Sequence, residues 1–234
     1  MRLESLTLTR HGESTANLAV IDAYRRGAQE WAVAERDPDV PLSARGEAQA
    51  AALGAWLAGL PEQERPTLVM ASPFLRTRRT AEIALAAVGS PPVRFDERLR
   101  DRETGALSGL TGRGIKARFP DEWARKELLG KFYYRPPGGE AWTDVALRLR
   151  SVLGDLDRDH PGARVLLVVH DAIVVLVRYI LEELSEQEIL EIEKDVVRNC
   201  SVTRWRFKGG IPQLIAYNDT SHLTAADTAL GEIA

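Results

Sequence analysis

The chain has 234 residues, 44% of them hydrophobic and 28% charged. That balance suits one sizeable folded domain and excludes disordered, collagen-like and low-complexity architectures. A net charge of −3 gives no global pull toward nucleic acid or an anionic membrane, and a lone cysteine, Cys200, excludes a disulfide framework or a cysteine-based zinc cluster.

The opening run Leu3-Glu4-Ser5-Leu6-Thr7-Leu8 alternates in polarity, which predicts a strand over residues 4–10 in place of a secretion signal. Ser43 is placed to cap a helix to residue 57, with Ala48, Ala51, Ala52 and Ala55 on one side. Strands are predicted over 67–71 and 92–95, with an amphipathic helix over 74–88 between them. From 101 to 140 the Gly and Pro content predicts only short helical pieces, an insertion lying over the sheet edge like a lid. A helix follows over 142–156. The apolar stretch 165–181 is broken by His170, Asp171 and Arg178, whereas a membrane span needs ~20 nearly uninterrupted apolar residues. It reads as a buried strand over 164–170, then a buried helix. Ser185-x-x-Glu188 opens a further helix to about residue 194. Two last strands, 202–207 and 213–217, are joined by the hairpin turn Lys208-Gly209-Gly210-Ile211-Pro212, and a small polar tail runs from 220 to 234. Strands alternating with helices predict an α/β fold: three layers, α/β/α, around a mostly parallel sheet, as a single domain over 1–234.

Three polar breaks stand where predicted strands end: Arg10-His11-Gly12-Glu13-Ser14, Ser72-Pro73-x-x-Arg76, and His170-Asp171. Ligands of open α/β sheets bind at the carboxyl ends of the strands, so these breaks are expected to converge on one pocket. Helix N-termini near Glu13, Phe74 and Ala172 would add positive potential, and two histidines with two arginines suit a phosphate group. Only five of the 31 basic residues are lysine, an arginine surplus read mainly as compositional. Glu13 also reads as an ordinary acid in a helix's first turn, Asp171 as a helix N-cap, and Cys200 as a small buried residue.

Arg10-His11-Gly12-Glu13-Ser14 with Asn17 resembles the signature of the histidine phosphatase superfamily, which includes phosphoglycerate mutases. Further matches follow in the family's order: Leu42-Ser43-x-x-Gly46-x-x-Gln49-Ala50, Ser72-Pro73-x-x-Arg76-x-x-x-Thr80-Ala81, Gly138-Gly139-Glu140 and Val168-Val169-His170. The resemblance implies that His11 attacks phosphorus and forms a phosphohistidine that water hydrolyses, with no metal or cofactor. It implies that Arg10, Arg76 and His170 bind the phosphoryl oxygens, with Asn17 as a further donor. The general acid falls at Asp101, with Glu103 and Asp171 as alternatives.

The family's mutases carry Glu-Arg-His-Tyr-Gly-Ala-Leu where this chain has Asp101-Arg102-Glu103-Thr104-Gly105-Ala106-Leu107, and the loss of His and Tyr favours hydrolysis. Lys131-Phe132-Tyr133-Tyr134-Arg135 is similar to the sugar-phosphate stretch of the fructose bisphosphatase domain of the bifunctional kinase/phosphatase, where Lys131, with Arg135 nearby, would hold a second phosphate. Glu127 and Val175 stand where that domain has arginines, and the aromatic run also reads as packing between lid and core. The expectation is a cytoplasmic phosphatase for a small-molecule phosphoester, a sugar phosphate among the candidates, with mutase-type transfer or a non-catalytic phosphate- or phosphoprotein-binding module as alternatives. Neither nucleic acid nor membrane is an expected partner, and the oligomeric state, homodimer included, is left open.

Overall fold

The computed structural model describes residues 1–228 apart from Ala87 and Ser90. Its strands are β1 (Ser5–Arg10), β2 (Leu68–Ala71), β3 (Val93–Phe95), β4 (Arg164–Val169), β5 (Val202–Lys208) and β6 (Ile211–Asp219). Its longer helices are α1 (Thr15–Arg25), α2 (Ala44–Gly59), α3 (Leu75–Leu85), α4 (Gly112–Arg118), α5 (Pro120–Tyr133), α6 (Trp142–Asp159), α7 (Asp171–Leu181) and α8 (Glu186–Ile192). The strands form one sheet in the order β3-β2-β4-β1-β5-β6. β1, β2, β3 and β4 run parallel, while β5 and β6 add an antiparallel hairpin at one side. The predicted α/β sheet is therefore present. The hairpin turn is tighter than predicted: Gly209 and Gly210 alone make it, at φ +59° and +84°, and Ile211 and Pro212 already belong to β6. Two consecutive positive φ angles match the twist of a two-residue hairpin, and glycine adopts them without strain.

Side-chain alternation builds the layers. Leu6, Leu8, Val165, Leu167 and Val169 face a core shared with Val145 and Leu149 of α6 and Ile173 and Leu176 of α7. Val69, Ala71, Leu166 and Val168 face the other way, onto Ala50 and Leu53 of α2 and Ala81 and Ala84 of α3. β4 is apolar on both faces because it is covered on both, as a central parallel strand must be.

Several boundaries differ from expectation for local reasons. α1 starts at Thr15, not near Glu13, because the Ser14 hydroxyl accepts the Asn17 amide while the Asn17 side chain accepts from Ser14 N. α7 starts at Asp171 with His170 as its N-cap, so Asp171 is not the cap. α3 ends at Leu85, short of the predicted residue 88, and Ala87 lies outside the described residues. The 101–140 stretch holds more than short pieces: α5 spans Pro120–Tyr133, with Gly130 at φ +72° kinking it before its last turn. Residues 229–234 of the tail lie outside the described residues. No helix among the described residues is long and apolar enough to cross a membrane.

Register decides where the site is. Arg10 pairs with Val169 and Ala71 with Val168, so three parallel strands end level with one another. His11, Ser72 and His170 are the next residues in each, and all leave the same edge of the sheet.

Candidate active site

His11 is 3% exposed and His170 fully buried, their ring centroids 5.2 Å apart and edge to face. The His11 ring is oriented by its own chain: Nδ1 lies 2.7 Å from the Gly12 carbonyl oxygen. A carbonyl only accepts, so Nδ1 carries the hydrogen and Nε2 keeps its lone pair. The loop itself is pinned. Gly12 N donates to Thr80 Oγ1 at 3.0 Å, Glu13 N to Gln49 Oε1 at 2.8 Å, and Asn199 Nδ2 to the His11 carbonyl at 2.9 Å. It also packs backbone on backbone against the start of α2: a Cβ on Gly12 would sit 2.4 Å from Gly46 O, and one on Gly46 2.0 Å from Glu13 O. Only glycine fits at either place. Glu13 is not a first-turn acid. Its carboxylate accepts from Ser43 Oγ at 2.7 Å and faces Arg45 at 3.5 Å, tying the loop to α2.

Two arginines converge on this ring. Arg10, at the end of β1, donates from Nη1 to Val197 O at 2.6 Å, with Nη2 3.8 Å from Asp171 Oδ2. Arg76, in the first turn of α3 and 4% exposed, donates from Nη1 to Asp37 O at 2.7 Å and Asp37 Oδ1 at 2.9 Å, and from Nη2 to Asp101 Oδ2 at 3.1 Å. The Phe74 ring lies under the Arg76 guanidinium at 4.9 Å. His170 Nε2 is 2.9 Å from Ser72 Oγ, and its Nδ1 is 3.4 Å from Asp101 Oδ2 without making a hydrogen bond. Arg10 Nε is likewise buried without a partner. Buried polar atoms are nearly always paired, so two orphans beside two guanidiniums call for an anion that accepts from them.

The three carboxylic candidates occupy different stations. Asp101 touches both Arg76 and His170, and its Oδ1 accepts from Arg102 N at 2.8 Å. Glu103 is exposed, and its Oε1 turns back to accept from Gly105 N at 2.9 Å. Asp171 Oδ1 accepts from Ala172 N at 2.7 Å. All three border a cavity of about 210 Å³ together with Arg10, His11 and Arg76. Asn17 borders it too. Its oxygen takes bonds from Ser14 and Asn199, which leaves its NH2 as the group to meet a ligand.

The segment around Asp101 is held by Arg148, which sequence patterns did not single out, together with Glu140. Arg148, on α6, donates from Nη1 to Arg98 O at 2.5 Å and Arg100 O at 2.9 Å, and from Nη2 to Asp101 O at 3.1 Å. Its remaining donors meet both oxygens of Glu140, at 2.9 and 3.1 Å. Glu140 in turn accepts from Arg100 Nη2 at 2.6 Å and Glu103 N at 3.1 Å. The Gly138-Gly139-Glu140 motif thus serves to fix the acid-bearing segment. Asp37 does the same for Arg76, and Arg102 borders the cavity beside both.

A model of the histidine phosphatase superfamily (branch 1) matches residues 6–220. The chain belongs to that superfamily. It is 32% identical over 214 residues to a probable phosphoglycerate mutase GpmB of Salmonella paratyphi C, covering 86% of this chain and 93% of that one. Among solved structures it is similar to Bacillus stearothermophilus YhfR, with TM-score 0.72, 26% identity, and coverage of 93% and 98%. It is also similar to a mycobacterial glucosyl-3-phosphoglycerate phosphatase complexed with inorganic phosphate, with TM-score 0.72, 25% identity, and coverage of 94% and 100%.

Within this superfamily member the lid residues divide. Lys131 borders a second cavity of about 300 Å³, which shares Asp101, Arg102, Thr104 and Asp171 with the first. Its ammonium is already paired with Glu193 and lies over the Trp142 ring at 5.2 Å. Arg135 is not brought to either cavity. It is exposed, and its guanidinium pairs instead with Asp144 at the start of α6. Phe132 and Tyr134 are buried, Phe132 against Trp142 and Tyr179, so part of the aromatic run packs the lid onto the core, while Tyr133 is 56% exposed. Cys200 is buried under the Arg10 backbone, and burial pushes its thiol up, away from the thiolate.

Burial, then Arg76, His170 and Arg10, hold His11 well below its ordinary 6.5; burial, Arg76, Arg10 and Arg148 do the same to His170. Below pH 6.5 the unfolded chain binds protons that these folded imidazoles refuse. Stability is therefore full above that pH and is expected to fall below it, by up to about 1.4 kcal/mol per histidine for each pH unit. Urea unfolding at pH 7.5 and 5.5 measures this. Equal or greater stability at 5.5 would contradict two neutral buried rings.

Proposed function

We propose that this chain is a metal-independent phosphomonoester hydrolase acting through a phosphohistidine on His11. The observation that carries the reading is the bond from His11 Nδ1–H to the Gly12 carbonyl, which leaves Nε2 a free nucleophile beside Arg10, Arg76 and the unpartnered His170 Nδ1. Nε2 attacks phosphorus, the P–O bond to the leaving group breaks, and the electron pair departs on that oxygen. Arg10, Arg76 and His170 meet the phosphoryl oxygens as charge builds on them. Asp101, touching both Arg76 and His170, gives the leaving oxygen its proton. It then takes one from the water that cleaves the P–N bond and releases inorganic phosphate. Asn17 donates to the same phosphoryl group. A neutral imidazole supplies the nucleophile and two arginines the counter-charge, so this reading needs no metal ion.

The test is hydrolysis of a generic aryl phosphate in excess EDTA. Turnover that survives chelation is expected; no turnover over a broad phosphoester panel would leave only a phosphate-binding role. A second reading, mutase-type transfer, has the 32% identity to a probable phosphoglycerate mutase in its favour. With 3-phosphoglycerate as substrate, hydrolysis predicts inorganic phosphate and a mutase predicts the 2-isomer.

A further inference from the structure

The second cavity adjoins the first along Asp101, Arg102, Thr104 and Asp171, so a phosphoester with its phosphorus at His11 extends its leaving group there. Four carboxylates border that cavity, from Asp101, Asp171, Glu193 and Asp195, against the cations of Arg102 and Lys131. The two arginines that would neutralise the phosphoryl group, Arg10 and Arg76, are not among its walls. Lys131, the obvious partner for another anion, is spoken for by Glu193. Val175, Val196 and Val197 add apolar wall without charge. A second phosphate or a carboxylate would meet a wall with no net positive charge: Asp101 and Asp171 face Arg76 and Arg10, which leaves Glu193 and Asp195 against Lys131 and Arg102, and Lys131 is held by Glu193. Hydroxyl groups, which both donate and accept, suit a wall that offers carboxylate oxygens beside ammonium and guanidinium hydrogens.

We infer that the second cavity selects an uncharged, hydroxyl-bearing leaving group of sugar-like chemistry, and that Glu193 determines this specificity by occupying Lys131. This rests on the hydrolase reading above. The substrate thus carries a single phosphate, and the reaction class that supplies it is phosphorylation of a neutral polyol or sugar.

The test compares kcat/KM for three substrates of matched size: a sugar monophosphate, its carboxylated analogue and its bisphosphate, with an aryl phosphate as reference. The neutral sugar phosphate is expected to exceed both charged analogues by about tenfold or more. Glu193→Gln is expected to shift that ratio about tenfold toward the bisphosphate by releasing Lys131, and Glu193→Gln with Lys131→Met to cancel the shift. Equal or better turnover of the charged analogues by the native chain, with the aryl phosphate hydrolysed, overturns this inference and leaves the hydrolase reading standing. A ratio unmoved by Glu193→Gln overturns the role of Glu193. An aryl phosphate left intact overturns both readings.

Discussion

His11→Ala is expected to lower aryl phosphate hydrolysis by on the order of 10⁴-fold or more, because in the proposed mechanism it removes the atom that bonds to phosphorus while the rest of the site remains. The native chain, quenched during turnover with radiolabelled substrate, should retain label that is stable to base and released by acid, the behaviour of a phosphorus–nitrogen bond. The variant should retain none. His11 makes one side-chain hydrogen bond, to the residue that follows it, so its loss leaves the pinning bonds at Gly12 N, Glu13 N and the His11 carbonyl in place. A variant that folds, binds inorganic phosphate and keeps more than a hundredth of native turnover would remove His11 as the nucleophile. His11→Asn keeps more of the buried volume and guards against a folding failure being mistaken for a chemical one.

Arg148→Met should cost about 3 kcal/mol, the low end of the penalty for stripping one partner from a buried ion pair, since the Arg148 and Glu140 side chains keep 10% and 14% of their exposure. For a chain of this size that is roughly a 10 °C drop in melting temperature. The side chain spends its donors on three carbonyls and both oxygens of Glu140, so its removal leaves a partly buried carboxylate with Arg100 as its remaining cation and frees the segment that bears Asp101. Loss of activity should therefore exceed the loss expected from unfolding alone. It should also be greatest for substrates with poor leaving groups, which depend most on a well-placed proton. Equal losses for good and poor leaving groups would assign Arg148 a purely structural part.

The strands were legible because each is written in a local code. The alternation of residues 3–8, the unbroken apolar run before His170 and the paired glycines of the hairpin need no distant partner to be read. The strand-end motifs were legible for the same reason, and sheet register then brings His11, Arg76 and His170 together. α5 was not, because its pattern is not amphipathic: Leu128 and Leu129 point into solvent. Asp37, Arg148 and Asn199 were also hidden. Each acts on a residue 39, 47 or 188 positions away, and an isolated acid, arginine or asparagine announces nothing about that. Part of the arginine surplus read as compositional turns out to be structural, since Arg98, Arg100 and Arg148 bind the acid-bearing segment and α6 together. Lys131 was legible as a cation near the site, but its pairing with Glu193, a residue 62 positions away, was not.

The placement of β1 in the sheet also sets a timetable. Its two neighbours, β4 and β5, begin 159 and 197 residues after its own first residue. During synthesis the N-terminal strand, with His11 directly after it, must wait for most of the chain before either edge can pair. Closure of such distant contacts is intrinsically slow, and a strand with two open edges is the stretch most exposed to wrong partners in the interval. Convergence of the candidate site is therefore among the last properties a newly made chain acquires, and a chain that ends before residue 170 carries Arg10, His11 and Arg76 without His170 or the β5 strand that pairs with the other edge of β1.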